Sequence, residues 1–160
     1  MAQRLRKMGE LAREGADTEL ATFLCRRGVA ELPSGAPLAW NALALCALVR
    51  RLIRYQTEDP ETLVGLEALL WLGAGDCDDV SIALAALLLR CGWPVRWLVG
   101  FQGDQGVHVW LQTRVPEDGA PWLDCDPSTW RVEPGVSPMV LGELDRAEAF
   151  NLAGQPWPRG

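Results

Sequence analysis

From Cys77 to Cys91 the chain reads CDDVSIALAALLLRC, apolar on nearly every helical face. Such a helix has no side to offer to water, so the rest of the chain must enclose it. Gly92 and Pro94 end the run, and beyond them the apolar period changes from helical to alternating. Val95, Trp97, Val99 and Phe101 share one face of a first expected strand. Gly103-Asp104-Gln105-Gly106 reads as a turn, Val107 to Thr113 as a second strand, and Pro116-Glu117-Asp118-Gly119 as a hairpin turn before a third strand from Trp122 to Asp126. A buried helix followed by an antiparallel sheet of at least three strands is an α+β layout.

Upstream, residues 3–27 read as one or two helices broken near Gly15-Ala16-Asp17, with Asp17 or Thr18 as cap and Gly28 as stop. Pro33, Ser34, Gly35 and Pro37 mark a surface loop. A long helix is expected from Leu38 to Tyr55. Another opens at Asp59-Pro60-Glu61 and runs to about Leu72, ending at Gly73. Ser137-Pro138 starts a final helix to about Phe150. The expected layout is an N-terminal helical extension (1–37), a core (38–130) and a C-terminal helix with tail (131–160).

A chain of 160 residues fits one domain with a proper core. The balance of 15 basic against 21 acidic residues, a net charge of −6, argues against nucleic acid as a partner. The basic runs Arg4-Leu5-Arg6-Lys7 and Arg50-Arg51-Leu52-Ile53-Arg54 have helical spacing and read as solvated faces. The 5 cysteines form no CxxC pair, which argues against a zinc ribbon or a disulfide scaffold. Cys25, Cys46 and Cys91 read as small buried side chains. No signal peptide or membrane-spanning run is evident, so a cytoplasmic location and no membrane partner are expected.

Three residues stand in frames suited to chemistry. Cys77, in Gly75-Asp76-Cys77-Asp78-Asp79, opens the buried helix, where unpaired amides and the positive dipole end favour a thiolate. Its bland reading is another buried helix cysteine, but the approach through Gly73 and Gly75 and the flanking acids are unusual for a core position. Those acids raise a thiol pKa unless they point away or are balanced by His108 or by a basic residue such as Arg96. His108 is the only histidine, so any neutral-pH acid–base role falls to it. It alternates with Trp110 and Gln112 on one strand face, where a lone histidine is otherwise structural or exposed. Asp124 and Asp126 share a face of the next strand, and either can accept the second ring N–H; otherwise they are a polar sheet edge. Zinc held by Cys77, His108, Cys125 and an aspartate is the competing use, weakened by the lack of closely spaced ligands. No metal and no cofactor are expected.

Gly75-Asp76-Cys77-Asp78-Asp79 with the helix after it, then Gly92-Trp93-Pro94-Val95-Arg96, resembles the core of the transglutaminase-like superfamily. His108-Val109-Trp110 resembles the family's His-x-Trp strand, and Trp122 with Asp126-Pro127-Ser128 resembles its Trp…Asp-Pro-Thr strand, Ser128 standing where Thr is usual. Ile53-Arg54-Tyr55 resembles bacterial and phage-encoded members. The resemblance covers about Tyr55 to Thr129 and implies a papain-like fold. It further implies acyl transfer from a peptide or side-chain amide through a thioester, with Cys77 as nucleophile, His108 as base and acid, and Asp126 as the orienting carboxylate. Asp124 is the alternative acid, Asp76 and Asp79 support the site, and Trp97, Trp110 and Trp122 are candidate cleft walls or core. The competing expectation is a catalytically silent binding or assembly module, as in a phage or other multi-protein assembly. Residues 1–37 would then serve as an assembly arm, or as a lid over the cleft.

Overall fold

The computed structural model describes residues 1–57 and 62–158. Helix α1 (Ala2–Ala16) is followed by α2 (Glu19–Val29), α3 (Ala39–Leu52) and the short strand β1 (Arg54–Tyr55). Then come α4 (Leu66–Leu72), β2 (Ala74–Gly75) and the central helix α5 (Cys77–Arg90). Strands β3 (Val95–Gln102), β4 (Gln105–Thr113), β5 (Leu123–Cys125) and β6 (Arg146–Phe150) complete the chain, with a 3-10 turn at Pro138–Leu141.

The composition of α5 dictates its place. Asp76 caps it, its carboxylate accepting from the Asp78 and Asp79 amides at 3.0 and 3.3 Å. From Asp78 to Leu88 every residue is buried. Helices α1 to α4 pack around it, and β3 and β4 cover the remaining side. Ile82, Leu84, Leu87 and Leu88 are wholly inaccessible, each contributing roughly 2 kcal/mol by burial. The alternation on β3 appears as expected: Val95, Trp97, Val99 and Phe101 join the same core as α5. Leu98 and Trp110 are buried on the other face of the sheet.

Helices α1 and α2 both contribute to this core. Leu5, Met8 and Ala12, spaced along one face of α1, are buried in one continuous cluster with α5, and Leu24 and Cys25 join it from α2. Thr18 caps α2, its hydroxyl accepting from the Ala21 amide at 3.1 Å. Gly28 does not stop α2. It lies within the helix, where Leu45 packs so closely that a Cβ would meet the Leu45 side chain at 2.7 Å. Cys91 is exposed, not buried with the other helix cysteines.

Three expected helices change length or kind. The helix from residue 38 ends at Leu52 because Arg54 and Tyr55 pair in parallel with Ala74 and Gly75. The expected opening at Asp59-Pro60-Glu61 falls outside the described residues. In the described chain α4 begins only at Leu66, after a non-helical approach in which the Val64 amide donates to Asp79 at 3.0 Å. The final helix is absent. Ser137 caps only a 3-10 turn, and Arg146–Phe150 pairs antiparallel with β3. The sheet thus has the order β5-β4-β3-β6, with β6 covering an edge of β3 that would otherwise lie unpaired.

Candidate active site

The site lies where the N-terminus of α5 meets β4 and the segment after β5. The approach is held by the β1–β2 pair, in which the Arg54 amide donates to Gly73 O at 3.0 Å and the Gln56 amide to Gly75 O at 2.9 Å. Gly73 adopts a left-handed φ of 66° and caps α4. Gly75 is required by crowding inside the protein: a Cβ there would stand 2.6 Å from Leu69 and 2.9 Å from the Asp79 side chain. Both glycines therefore serve the backbone.

Cys77 is half-buried at the first position of α5. Its thiol pKa is pushed well above the ordinary value, first by burial and then by the Asp78 carboxylate, with smaller contributions from Asp76 and Asp126. The Val109 backbone acts in the opposite direction. Burial and the neighbouring carboxylates thus act against the thiolate that a helix N-terminus favours. Asp78 is balanced by Arg4, whose Nε donates to Oδ2. Arg96, the expected counter-ion, instead donates to Gln112 Oε1 at 2.9 and 2.7 Å and lies 4.1 Å over the Trp122 ring.

His108 and Asp126 meet at 2.7 Å, ring Nε2 to carboxylate Oδ2. The carboxylate is further held by the Ser128 amide at 2.8 Å and its hydroxyl at 2.6 Å. Burial alone would raise the Asp126 pKa, but His108 and Ser128 outweigh it and hold the group below its ordinary value. Asp124 is occupied elsewhere, accepting from Trp110 Nε1 at 2.6 Å and Gln112 Nε2 at 3.0 Å. The two aspartates are thereby told apart: Asp126 holds the imidazole, and Asp124 the indole stacked behind it at 5.6 Å.

A cavity of about 250 Å³ is lined by both Cys77 and His108, together with Met1, Arg4 and Val99. None of the three tryptophans considered as cleft walls lines it. Trp97 is core, Trp110 backs the imidazole, and Trp122 packs edge-on against Trp157. Asp76 and Asp79 shape the helix start and its approach. Among the described residues Asp76, Cys77 and Asp78 have donor atoms within 4.8 Å of one another, but Asp76 is the helix cap and Asp78 pairs with Arg4. Cys125 is buried beside Cys46 of α3 and does not line the cavity shared by Cys77 and His108.

Two residues of the site were hidden in the sequence. Arg50, read there as part of a solvated face, is buried and donates from Nε to Asp126 O at 3.1 Å and from Nη1 to Val132 O at 2.9 Å. Tyr55 stands close enough to Cys77, Asp76, Asp126 and Asp78 that burial and these groups together raise its phenol pKa. Its place in Ile53-Arg54-Tyr55 was its one signal in the sequence, and the pairing with Gly75 brings it to the site.

The family model for the transglutaminase-like superfamily matches residues 32–127. Among solved structures, the chain is similar to a "putative cysteine protease" from Cytophaga hutchinsonii, with a TM-score of 0.53 and 17% identity over 82% of this chain and 47% of that one. It is also similar to a "putative protease" from Parabacteroides distasonis, with a TM-score of 0.54 and 9% identity over 86% of this chain and 31% of that one. The chain thus spans less than half the length of either, and at these identities the likeness is one of fold. The sequence has no significant match among curated proteins.

Proposed function

Because the chain belongs to the transglutaminase-like superfamily, we propose that it is a cysteine hydrolase acting on a peptide or side-chain amide through a thioester on Cys77. The observation that carries this reading is the 2.7 Å bond between His108 Nε2 and Asp126, made at a cavity that Cys77 also lines. With Nε2 committed to the carboxylate, Nδ1 is the ring nitrogen left to exchange a proton with sulfur and substrate.

In this reading Cys77 Sγ attacks the amide carbonyl as its proton passes to His108. The imidazolium, stabilised by Asp126, then protonates the leaving nitrogen as the C–N bond breaks. The Cys77 backbone N–H, at the helix N-terminus, faces the developing oxyanion. Water next adds to the thioester, giving one proton to His108, and the C–S bond breaks with return of that proton to sulfur.

The test is incubation with a proteome-derived peptide library, reading new N-termini by mass spectrometry and released ammonia in parallel. Cleavage or ammonia release by the parent, absent in Cys77→Ala and His108→Ala, is the expected result. The carboxylates around Cys77 favour the second reading, a silent binding module. Neither new termini nor ammonia from the parent, with no acyl group trapped on Cys77 by an activated ester, would establish that reading instead.

A further inference from the structure

His108 stands between two cavities. One also contains Cys77; the other, of about 400 Å³, is lined by His108 but not by Cys77. The two ends of an amide have different needs in thioester chemistry. Its carbonyl carbon must reach sulfur, and its nitrogen must reach the imidazole that protonates it. A cavity that adjoins the imidazole away from sulfur therefore lies where the leaving amine extends.

The lining beside His108 joins apolar Val107, Pro138, Leu141 and Leu144 to polar Gln102 and Thr129, with the Arg131–Glu143 ion pair at its exposed edge. Most of that wall comes from residues 129–144, beyond the segment matched by the family model, so it belongs to this chain and not to the shared core. Its size is also informative. Ammonia needs little more room than a water, roughly 30 Å³, whereas 400 Å³ falls in the range of pockets that enclose a small organic group.

We infer that this cavity is a specificity site for the leaving amine, and that the amine it favours carries a bulky apolar side chain, as at a peptide bond preceding leucine or phenylalanine. The inference rests on the assignment of Cys77 and His108 as the reacting pair. Within it, cleavage of a substituted amide is selected over release of ammonia.

A leaving-amine site is also, in reverse, the site for an attacking amine, which permits a test without the natural substrate. p-Nitrophenyl acetate transfers its acetyl group to Cys77: the S–C bond forms, p-nitrophenolate departs, and the thiol proton passes through His108 to solvent. An added amine then attacks the thioester carbonyl, the C–S bond breaks, and the amine's proton returns through His108 to sulfur. Leucinamide, phenylalaninamide and glycinamide are offered at equal free-base concentration, and the N-acetyl products are counted against acetate. Leucinamide and phenylalaninamide should each capture about tenfold more acetyl than glycinamide. That ratio should fall toward one in Leu141→Glu, which charges the wall, and in Leu141→Trp, which fills it. Because the ratio is taken within one protein, loss of folded material cancels. Equal capture by the parent would overturn the inference while leaving the thioester chemistry standing. Absence of a nitrophenolate burst and of acetyl-Cys77 would overturn the assignment of the nucleophile and the inference with it.

Discussion

Arg50 and Asp126 are joined through the backbone: the guanidinium of a buried residue on α3 donates to the carbonyl of the aspartate that holds His108. The same fork reaches the carbonyl of Val132, so one side chain ties together both ends of the segment following β5. Replacing Arg50 by Met should leave two buried carbonyls without donors and cost about 3 kcal/mol. Denaturant unfolding of the variant measures it. Arg50→Lys should recover only part of the loss, because an ammonium cannot present the fork.

Asp126 makes folding stability depend on acid. Its folded pKa lies below the unfolded value of 3.8, so its contribution is fully present above that value. The contribution is lost as the pH falls through 3.8 and on through the folded pKa. Acid unfolding of the parent should therefore steepen below about pH 4 relative to Asp126→Asn, which carries no titrating carboxyl there. Parallel curves for the two proteins would contradict the assignment.

Cys77 should alkylate slowly at neutral pH, because burial and Asp78 keep it a thiol. Removing the carboxylate in Asp78→Asn lowers the thiol pKa and should raise the iodoacetamide rate at pH 8 by about tenfold, the effect of one pKa unit. Arg4→Gln, which leaves the Asp78 charge without its guanidinium, should act in the opposite direction. Mass-spectrometric rates at Cys77 across pH 6 to about pH 10, bracketing the ordinary thiol range, separate the two.

Asp124 and Asp126 should respond differently to the same change. Asp124→Ala removes the acceptor for Trp110 and Gln112 and should cost about 1–2 kcal/mol of stability. Because the His108 bond runs to Asp126, an His108-dependent acylation of Cys77 by p-nitrophenyl acetate should survive in Asp124→Ala and fall by about a hundredfold or more in Asp126→Ala.

Met8 has no accessible surface and lies in the cluster that encloses α5. Met8→Ala should cost about 3 kcal/mol. Deletion of α1 should accordingly unfold the protein, as read by loss of the cooperative thermal transition; a folded, truncated protein with an opened cleft would show that α1 is a detachable lid.

What residues 77–126 determined on their own was local and periodic. A helix apolar on all sides has to be central, and alternation at Val95, Trp97, Val99 and Phe101 has to make a half-buried strand, whatever surrounds them. The frames of Cys77, His108 and Asp126 were legible for the same reason: each depends on its immediate neighbours. Tertiary structure decided what no local pattern encodes. Arg146–Phe150 is helix-like in composition and became a strand because the β3 edge offered hydrogen bonds. Arg50 became a buried clamp instead of a solvated charge because the carbonyls of Asp126 and Val132 converge on it from far along the chain. The choice between Asp124 and Asp126 turned on which of two carboxylates two residues apart met an imidazole and which an indole. The upward shift of the Cys77 thiol pKa comes from burial and nearby charges, quantities that exist only once the chain has folded.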